Sequence, residues 1–98
     1  MYVKIRNVVH KGLRCFVEHD DASRLPASVI RKVRTIVTFL VAMDDATELF
    51  SVPAWKAHML TGDRRGMWSL TVTRNWRITF RIDQARHEII DLDYVDYH

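Results

Sequence analysis

Cysteine occurs only once among the 98 residues, at Cys15, so no disulfide can form within the chain. Its setting in the apolar run Leu13, Cys15, Phe16, Val17 predicts a small buried thiol. Glycine (3 residues) and proline (2 residues) are scarce and no stretch is compositionally biased, which leaves little room for linkers, repeats or disordered arms. No apolar run approaches the ~20 residues of a membrane span, and the opening Met1-Tyr2-Val3-Lys4-Ile5-Arg6 has no signal-peptide core. The expectation is one compact domain, residues 1–98, in the cytoplasm and without a membrane partner. The five histidines and one cysteine show neither C-x-x-C nor H-x-x-x-H spacing, so no zinc or other metal site is predicted.

What is present is a patterned charge. The formal net charge is only +3, but residues 1–43 carry eight Lys/Arg against three Asp/Glu. Residues 61–82 carry five Arg against one Asp, and residues 83–98 one Arg against five acids. A basic middle followed by an acidic tail describes an anion-binding surface with carboxylates beside it.

Hydrophobic periodicity supplies the elements. Val3, Ile5 and Val8 predict a short first strand, and Leu13, Phe16 and Val17 a brief helix ending near Asp20. Val29, Ile30, Val33, Ile36, Val37, Leu40 and Val41 trace one apolar stripe of a longer helix, with Pro26 suited to its first turn. Arg31, Lys32 and Arg34 fall off that stripe and are expected to face solvent. Asp44, Asp45, Thr47 and Pro53 mark an irregular connection before a strand over residues 56–60. No second periodic helix follows Val41 at short spacing, which argues against a helix-turn-helix DNA binder.

From Trp68 the period becomes two. Trp68, Leu70 and Val72 alternate with polar residues, as do Trp76, Ile78, Phe80 and Ile82. A two-residue loop would set each apolar row opposite the other strand's polar row. A three-residue loop, Thr73-Arg74-Asn75, instead aligns Val72 with Trp76, Leu70 with Ile78 and Trp68 with Phe80, with Asn75 in the left-handed conformation. Ser69, Thr71, Arg77, Thr79 and Arg81 then share the opposite face, expected to be polar and open to a ligand. A last strand over residues 88–94 is predicted to turn Ile90, Leu92 and Tyr94 inward and Asp91 and Asp93 outward.

The run Leu60-Thr61-Gly62-Asp63-Arg64-Arg65-Gly66-Met67-Trp68-Ser69-Leu70-Thr71-Val72, then Asn75-Trp76-Arg77-Ile78-Thr79-Phe80 and the terminal Asp96-Tyr97-His98, resembles the HigB branch of the RelE/ParE toxin superfamily. His10-Lys11-Gly12-Leu13 and Ala46-Thr47-Glu48-Leu49 resemble it too, so the similarity spans nearly the whole chain. None of these motifs is specific alone; as a set they are. The resemblance implies an α+β fold, a twisted antiparallel β-sheet packed against two N-terminal helices, as in RelE/ParE-like and microbial RNase-like proteins. It further implies an mRNA endoribonuclease acting without metal or other cofactor in the ribosomal decoding site. Its partner would be a HigA-like helix-turn-helix antitoxin, through which the complex would bind operator DNA.

Metal-free RNA cleavage by the ribose 2′-hydroxyl needs a proton acceptor, a proton donor and positive charge on the phosphorane. With the resemblance as guide, the catalytic candidates are His58, Arg77, Asp96, Tyr97 and His98. The RNA-binding candidates are Arg64 and Arg65, in the basic loop, and Arg74. An imidazole near neutrality suits either proton role, and planar guanidinium groups clamp phosphate. Thr61 and Thr71 stand where relatives carry basic residues, and Arg74 is the candidate substitute for that charge. Two other readings keep the fold: a non-catalytic module that binds antitoxin or ribosome, and a ParE-like gyrase inhibitor, against which Asp96-Tyr97-His98 argues.

Overall fold

A computed structural model describes residues 4–96. Its order is β1 (Lys4–Ile5), α1 (Lys11–His19), α2 (Ile30–Ala42), β2 (His58–Met59), β3 (Trp68–Thr71), β4 (Trp76–Asp83) and β5 (Glu88–Asp96), with short 3-10 turns between α2 and β3. The architecture is α+β. Val3, expected to open the first strand, lies outside the described residues.

Each helix begins and ends for a local reason. The His10 ring accepts the Leu13 N–H through Nδ1 at 3.0 Å, capping α1. Asp20, at φ 54°, turns the chain out of α1 in the left-handed conformation that aspartate tolerates. Gly12 lies where a Cβ would stand 3.1 Å from the Arg24 Cβ and carbonyl oxygen, so the helix start packs closely on the following loop. A 3-10 turn, Ala27–Val29, follows Pro26 and leads into α2, whose Val33, Ile36 and Leu40 are buried. Arg34 is exposed, as expected, and from the surface reaches back to the Asp20 carboxylate at 3.1 Å and lies over the Phe16 ring, tying the two helices together. Arg31 and Lys32 are exposed. The connection after α2 contains a 3-10 turn, Ala46–Ser51, closed by a capping box between Asp45 and Glu48.

The five strands lie in the order β1-β5-β4-β3-β2. β2, β3, β4 and β5 are antiparallel, but β1 pairs with β5 in parallel, so the sheet is mixed where a wholly antiparallel one was expected. A parallel pair needs a long crossover, and everything between β1 and β5 supplies it. β3 and β4 have the register that the apolar rows demand, with Trp68 opposite Phe80 and Leu70 opposite Ile78. One buried cluster joins Leu13, Phe16, Val33, Ile36 and Leu40 of the helices to Leu70, Ile78, Phe80, Ile89 and Leu92 of the sheet. Among the described residues no helix is long and apolar enough to cross a membrane.

β5 departs from simple alternation. Thr79 stands opposite Asp93, but Arg81 opposite Ile90, so one residue is inserted on β5 beside Phe80. Asp91 sits there at φ 54°. The insertion turns Ile89 inward, fully buried, and leaves Ile90 half-buried on the other side, reversing the expected orientation of Ile90. Asn7 stitches the bulge: its Oδ1 accepts the Asp91 N–H at 2.9 Å, its Nδ2 donates to the Asp91 carboxylate at 3.0 Å, and its carbonyl accepts the Leu92 N–H. Next to it Arg6 binds Glu88 and Asp83, and the guanidinium holds the Asp83 carboxyl below its ordinary range.

Asn7→Ala removes both side-chain bonds to Asp91 and is expected to cost about 1 kcal/mol, with faster hydrogen exchange at the Asp91 amide. Unchanged exchange at that amide would show that the bulge does not depend on Asn7.

Candidate active site at the turn and the end of the last strand

The turn between β3 and β4 is where the candidate residues begin to gather. Val72 N–H and Thr73 N–H both donate to the Trp76 carbonyl, at 3.0 and 3.2 Å. This two-to-one arrangement of bulge type turns the chain. Asn75 is not among the residues with positive φ, contrary to expectation. The reversal is braced from within instead: Arg77 Nη1 donates to the carbonyls of Thr73 (2.7 Å), Arg74 (3.0 Å) and Trp76 (3.1 Å). A guanidinium fixed this way presents its charge in one orientation. Arg74 is exposed on the same turn.

Asp96 ends the described part of β5. It stands opposite Trp76, and Val95 opposite Arg77. Asp96 and Arg77 are thus on neighbouring strands one step apart, and their side chains leave opposite faces of the sheet at its rim. Tyr97 and His98, which follow Asp96, lie outside the described residues.

The side of the rim that carries Asp96 is aromatic. Trp76 stacks on Tyr94 with centroids 4.5 Å apart and planes at 17°, and His10 meets Tyr94 edge-on at 5.5 Å. The Tyr94 hydroxyl is buried and has no hydrogen-bond partner among the described residues. Burial, and then the negative charge of Asp96, push its phenol above the ordinary value. Tyr94 therefore stays protonated at neutral pH. Sequence patterning placed Tyr94 inward but gave no sign that His10, Trp76 and Tyr94 form a wall beside Asp96, because only the register reveals it.

His58 sits on β2, opposite Ser69, and Ser69 is opposite Thr79. It therefore shares the face of Arg77, two strands away, a Cα separation of about 10 Å across the sheet and about 7 Å along it. Its Nδ1 lies 2.8 Å from the Lys56 carbonyl, which can only accept, so Nδ1 carries the proton and Nε2 is the basic atom of the neutral ring. Lys56 adopts φ 47°, which aims that carbonyl back at the ring.

The polar face is less open than its residue types suggested. Ser69 and Thr79 are fully buried, and neither hydroxyl has a partner among the described residues. Arg77 and Arg81 flank Thr79 on this face, and the basic loop folds back to Arg81, whose Nη1 donates to the Arg65 carbonyl at 3.0 Å. Gly66, at φ 89°, brings the loop so close that a Cβ there would lie 3.2 Å from that nitrogen. Arg64 is half-buried with Nη2 3.4 Å from the Met67 sulfur, and Arg65 is exposed. The fold thus brings Arg74, Arg77 and Asp96 to one end of the sheet, sets His58 on the same face as Arg77, and hangs Arg64 and Arg65 over the middle of that face. Among the described residues no three His, Cys, Asp or Glu side chains converge as a metal-ion site.

Residues 6–98 match the family model described as the RelE-like toxin of type II toxin-antitoxin system HigB. The chain is 40% identical over 96 residues to the endoribonuclease HigB of Proteus vulgaris, covering 96% of this chain and 99% of the relative. Two solved structures share the fold at 18% identity. One is the RelBE2 toxin–antitoxin complex of Mycobacterium tuberculosis, with TM-score 0.53 and 100% of both chains covered. The other is a YoeB/ParE toxin of Agrobacterium tumefaciens, with TM-score 0.58, covering 100% of this chain and 99% of that one.

Arg77→Ala deprives three turn carbonyls of a donor and is expected to lower stability by about 1–2 kcal/mol in urea denaturation; an unchanged midpoint would contradict the bracing. Tyr94→Phe removes a buried, unpartnered hydroxyl and is expected to leave stability unchanged or raise it by about 1 kcal/mol. Because the folded phenol titrates above its unfolded value, the native state loses stability as pH rises through and beyond about 10. Tyr94→Phe should flatten that alkaline slope, and an identical slope in both proteins would rule out the assignment.

Proposed function

The chain belongs to the HigB family of RelE-like toxins of type II toxin–antitoxin systems, and from that premise we propose that it is an endoribonuclease cutting messenger RNA on the translating ribosome. The whole chain, residues 1–98, acts as one toxin domain in the cytoplasm. The relative from Proteus vulgaris bears the name endoribonuclease, and the strongest support from this chain is geometric. A guanidinium locked onto three backbone carbonyls stands beside the strand that leads into the ionisable end of the chain.

The chemistry is a transesterification. The ribose 2′-oxygen attacks the adjacent phosphorus as its proton leaves, a phosphorane forms, and the 5′-oxygen departs with a proton. A phosphate seated on the rim between the turn and the end of β5 is approachable from both faces of the sheet. Arg77, with Arg74 beside it, neutralises the charge that accumulates on the equatorial oxygens. His98 and His58 are the imidazoles for proton transfer, with His58 presenting Nε2. Asp96 orients an imidazole or takes the 2′-proton, and Tyr97 stacks on a base or donates to the leaving oxygen. Arg64 and Arg65 hold the RNA backbone over the polar face, where contacts set register rather than sequence. No residue in this scheme calls for a metal or an organic cofactor.

As a type II toxin the protein is paired with an antitoxin, here a HigA-like helix-turn-helix protein through which the complex binds operator DNA. The ribosomal decoding site presents the messenger to the toxin.

Deleting His98 is expected to reduce mRNA cleavage by at least about 100-fold, read by primer extension in a translation mixture, while antitoxin binding persists. Undiminished cutting by the truncated chain would refute the assignment of His98.

A further inference from the structure

Beside the turn lies a cleft of about 430 Å3, of which the cleavage scheme uses only Arg74. Its walls are the outer side of α2, the 3-10 turn Pro53–Trp55, and the end of β3 with the turn itself. Arg31 and Lys32 from α2 and Arg74 from the turn supply three cations, and no lining residue is acidic. None of the three has an ion-pair partner among the described residues. The floor is apolar, formed by Ile36, Val72 and Trp55, the last braced edge-on by Phe39 at 5.0 Å. Thr35, Thr71 and Thr73 also line the cleft. Thr35 donates its proton to the Arg31 carbonyl at 3.0 Å and so offers acceptor lone pairs to the cleft.

Exposed cations, threonines and a buried apolar floor supply partners for the parts of a nucleotide: phosphate, ribose with base edges, and base face. The volume falls within the range of about 300–1,000 Å3 of small-ligand sites. A single carboxylate side chain from an acidic protein would satisfy the rim and leave the floor empty. The cleft is also joined to the candidate active site, since Arg74 belongs to its wall and the Arg74 carbonyl is held by Arg77. We propose that this cleft is a subsite that receives one nucleotide of the RNA flanking the scissile linkage, so that it helps decide where the message is cut. This inference rests on the ribonuclease reading, and it assigns Arg31, Lys32 and Thr35 to RNA positioning.

The test uses the full chain carrying Asp96→Asn, labelled for NMR and titrated with a single-stranded RNA hexanucleotide of mixed sequence. Saturable shifts are expected at the amides of Thr35, Ala54, Thr71 and Thr73, with inorganic phosphate alone giving weaker ones. Adding Arg31→Gln and Lys32→Gln should weaken hexanucleotide binding and lower the dependence of log affinity on log salt by about 1. In the otherwise unsubstituted toxin, the same pair should raise the ribosome concentration needed for half-maximal cutting and redistribute the cut sites. Hexanucleotide binding with unchanged affinity and salt slope in the double variant, together with an unaltered cut pattern, would overturn the subsite and leave the ribonuclease reading standing. Shifts at these amides with an acidic peptide but not with RNA would also overturn it and assign the cleft to a protein partner. Failure of the unsubstituted toxin to cut any message would strike the ribonuclease reading alone, with the binding arm still deciding the cleft.

Discussion

The Arg77 guanidinium, bound to the carbonyls of Thr73, Arg74 and Trp76, is the interaction on which the functional end of the molecule depends. Three acceptors facing one Nη1 would repel one another if the charge were absent, and the turn carries no glycine to relax them. Under the proposed function, the same group that braces the turn is the positive charge offered to a phosphate. All three bonds come from the one nitrogen Nη1, so the brace fixes the position of the whole planar group and with it the direction of its charge.

From that brace the arrangement spreads through β4, which pairs with β3 on one side and β5 on the other. The register with β5 brings Asp96 to Trp76 and lays Tyr94 against the same indole. Farther along, the inserted residue at Asp91 swings β5 so that Ile89 and Leu92, three positions apart, both enter the core. Asn7 and Arg6 fasten that bend from β1 and the residues after it, with both side chains exposed enough that water competes for their bonds. The parallel β1 thus serves less as a strand than as a clamp on β5, holding steady the element that carries the carboxyl end.

Much of this was legible in the sequence, and what was not has physical reasons. The alternation from Trp68 to Ile82 dictated a three-residue loop, because any even loop would have buried threonines and arginines. It did not dictate how the loop would turn: the expected left-handed Asn75 gave way to a bulge tied by Arg77, a solution that needs a side chain two residues beyond the loop. The inward Ile90 failed because a single inserted residue reverses every orientation before it and leaves no compositional trace. Parallel pairing of β1 is a contact across some 84 positions, which local pattern cannot supply. Arg34 does face solvent, but its contacts with Asp20 and Phe16 were not legible because those partners lie at the end of and within another helix. The candidate residues themselves came from the family resemblance together with their chemistry. What the fold adds is their distribution: Arg74, Arg77 and Asp96 at one rim, His58 across the face from Arg77, and the Arg64-Arg65 loop pinned by Arg81.

The central claim is that this rim supports attack by the ribose 2′-oxygen on the neighbouring phosphate. Chemical identification of the ends of the cut messenger tests it most directly. The account predicts an upstream fragment ending in a 2′,3′-cyclic phosphate or its opened monophosphate and a downstream fragment beginning with a 5′-hydroxyl. A 3′-hydroxyl upstream with a 5′-phosphate downstream would contradict it, since water and not the ribose would then have been the nucleophile.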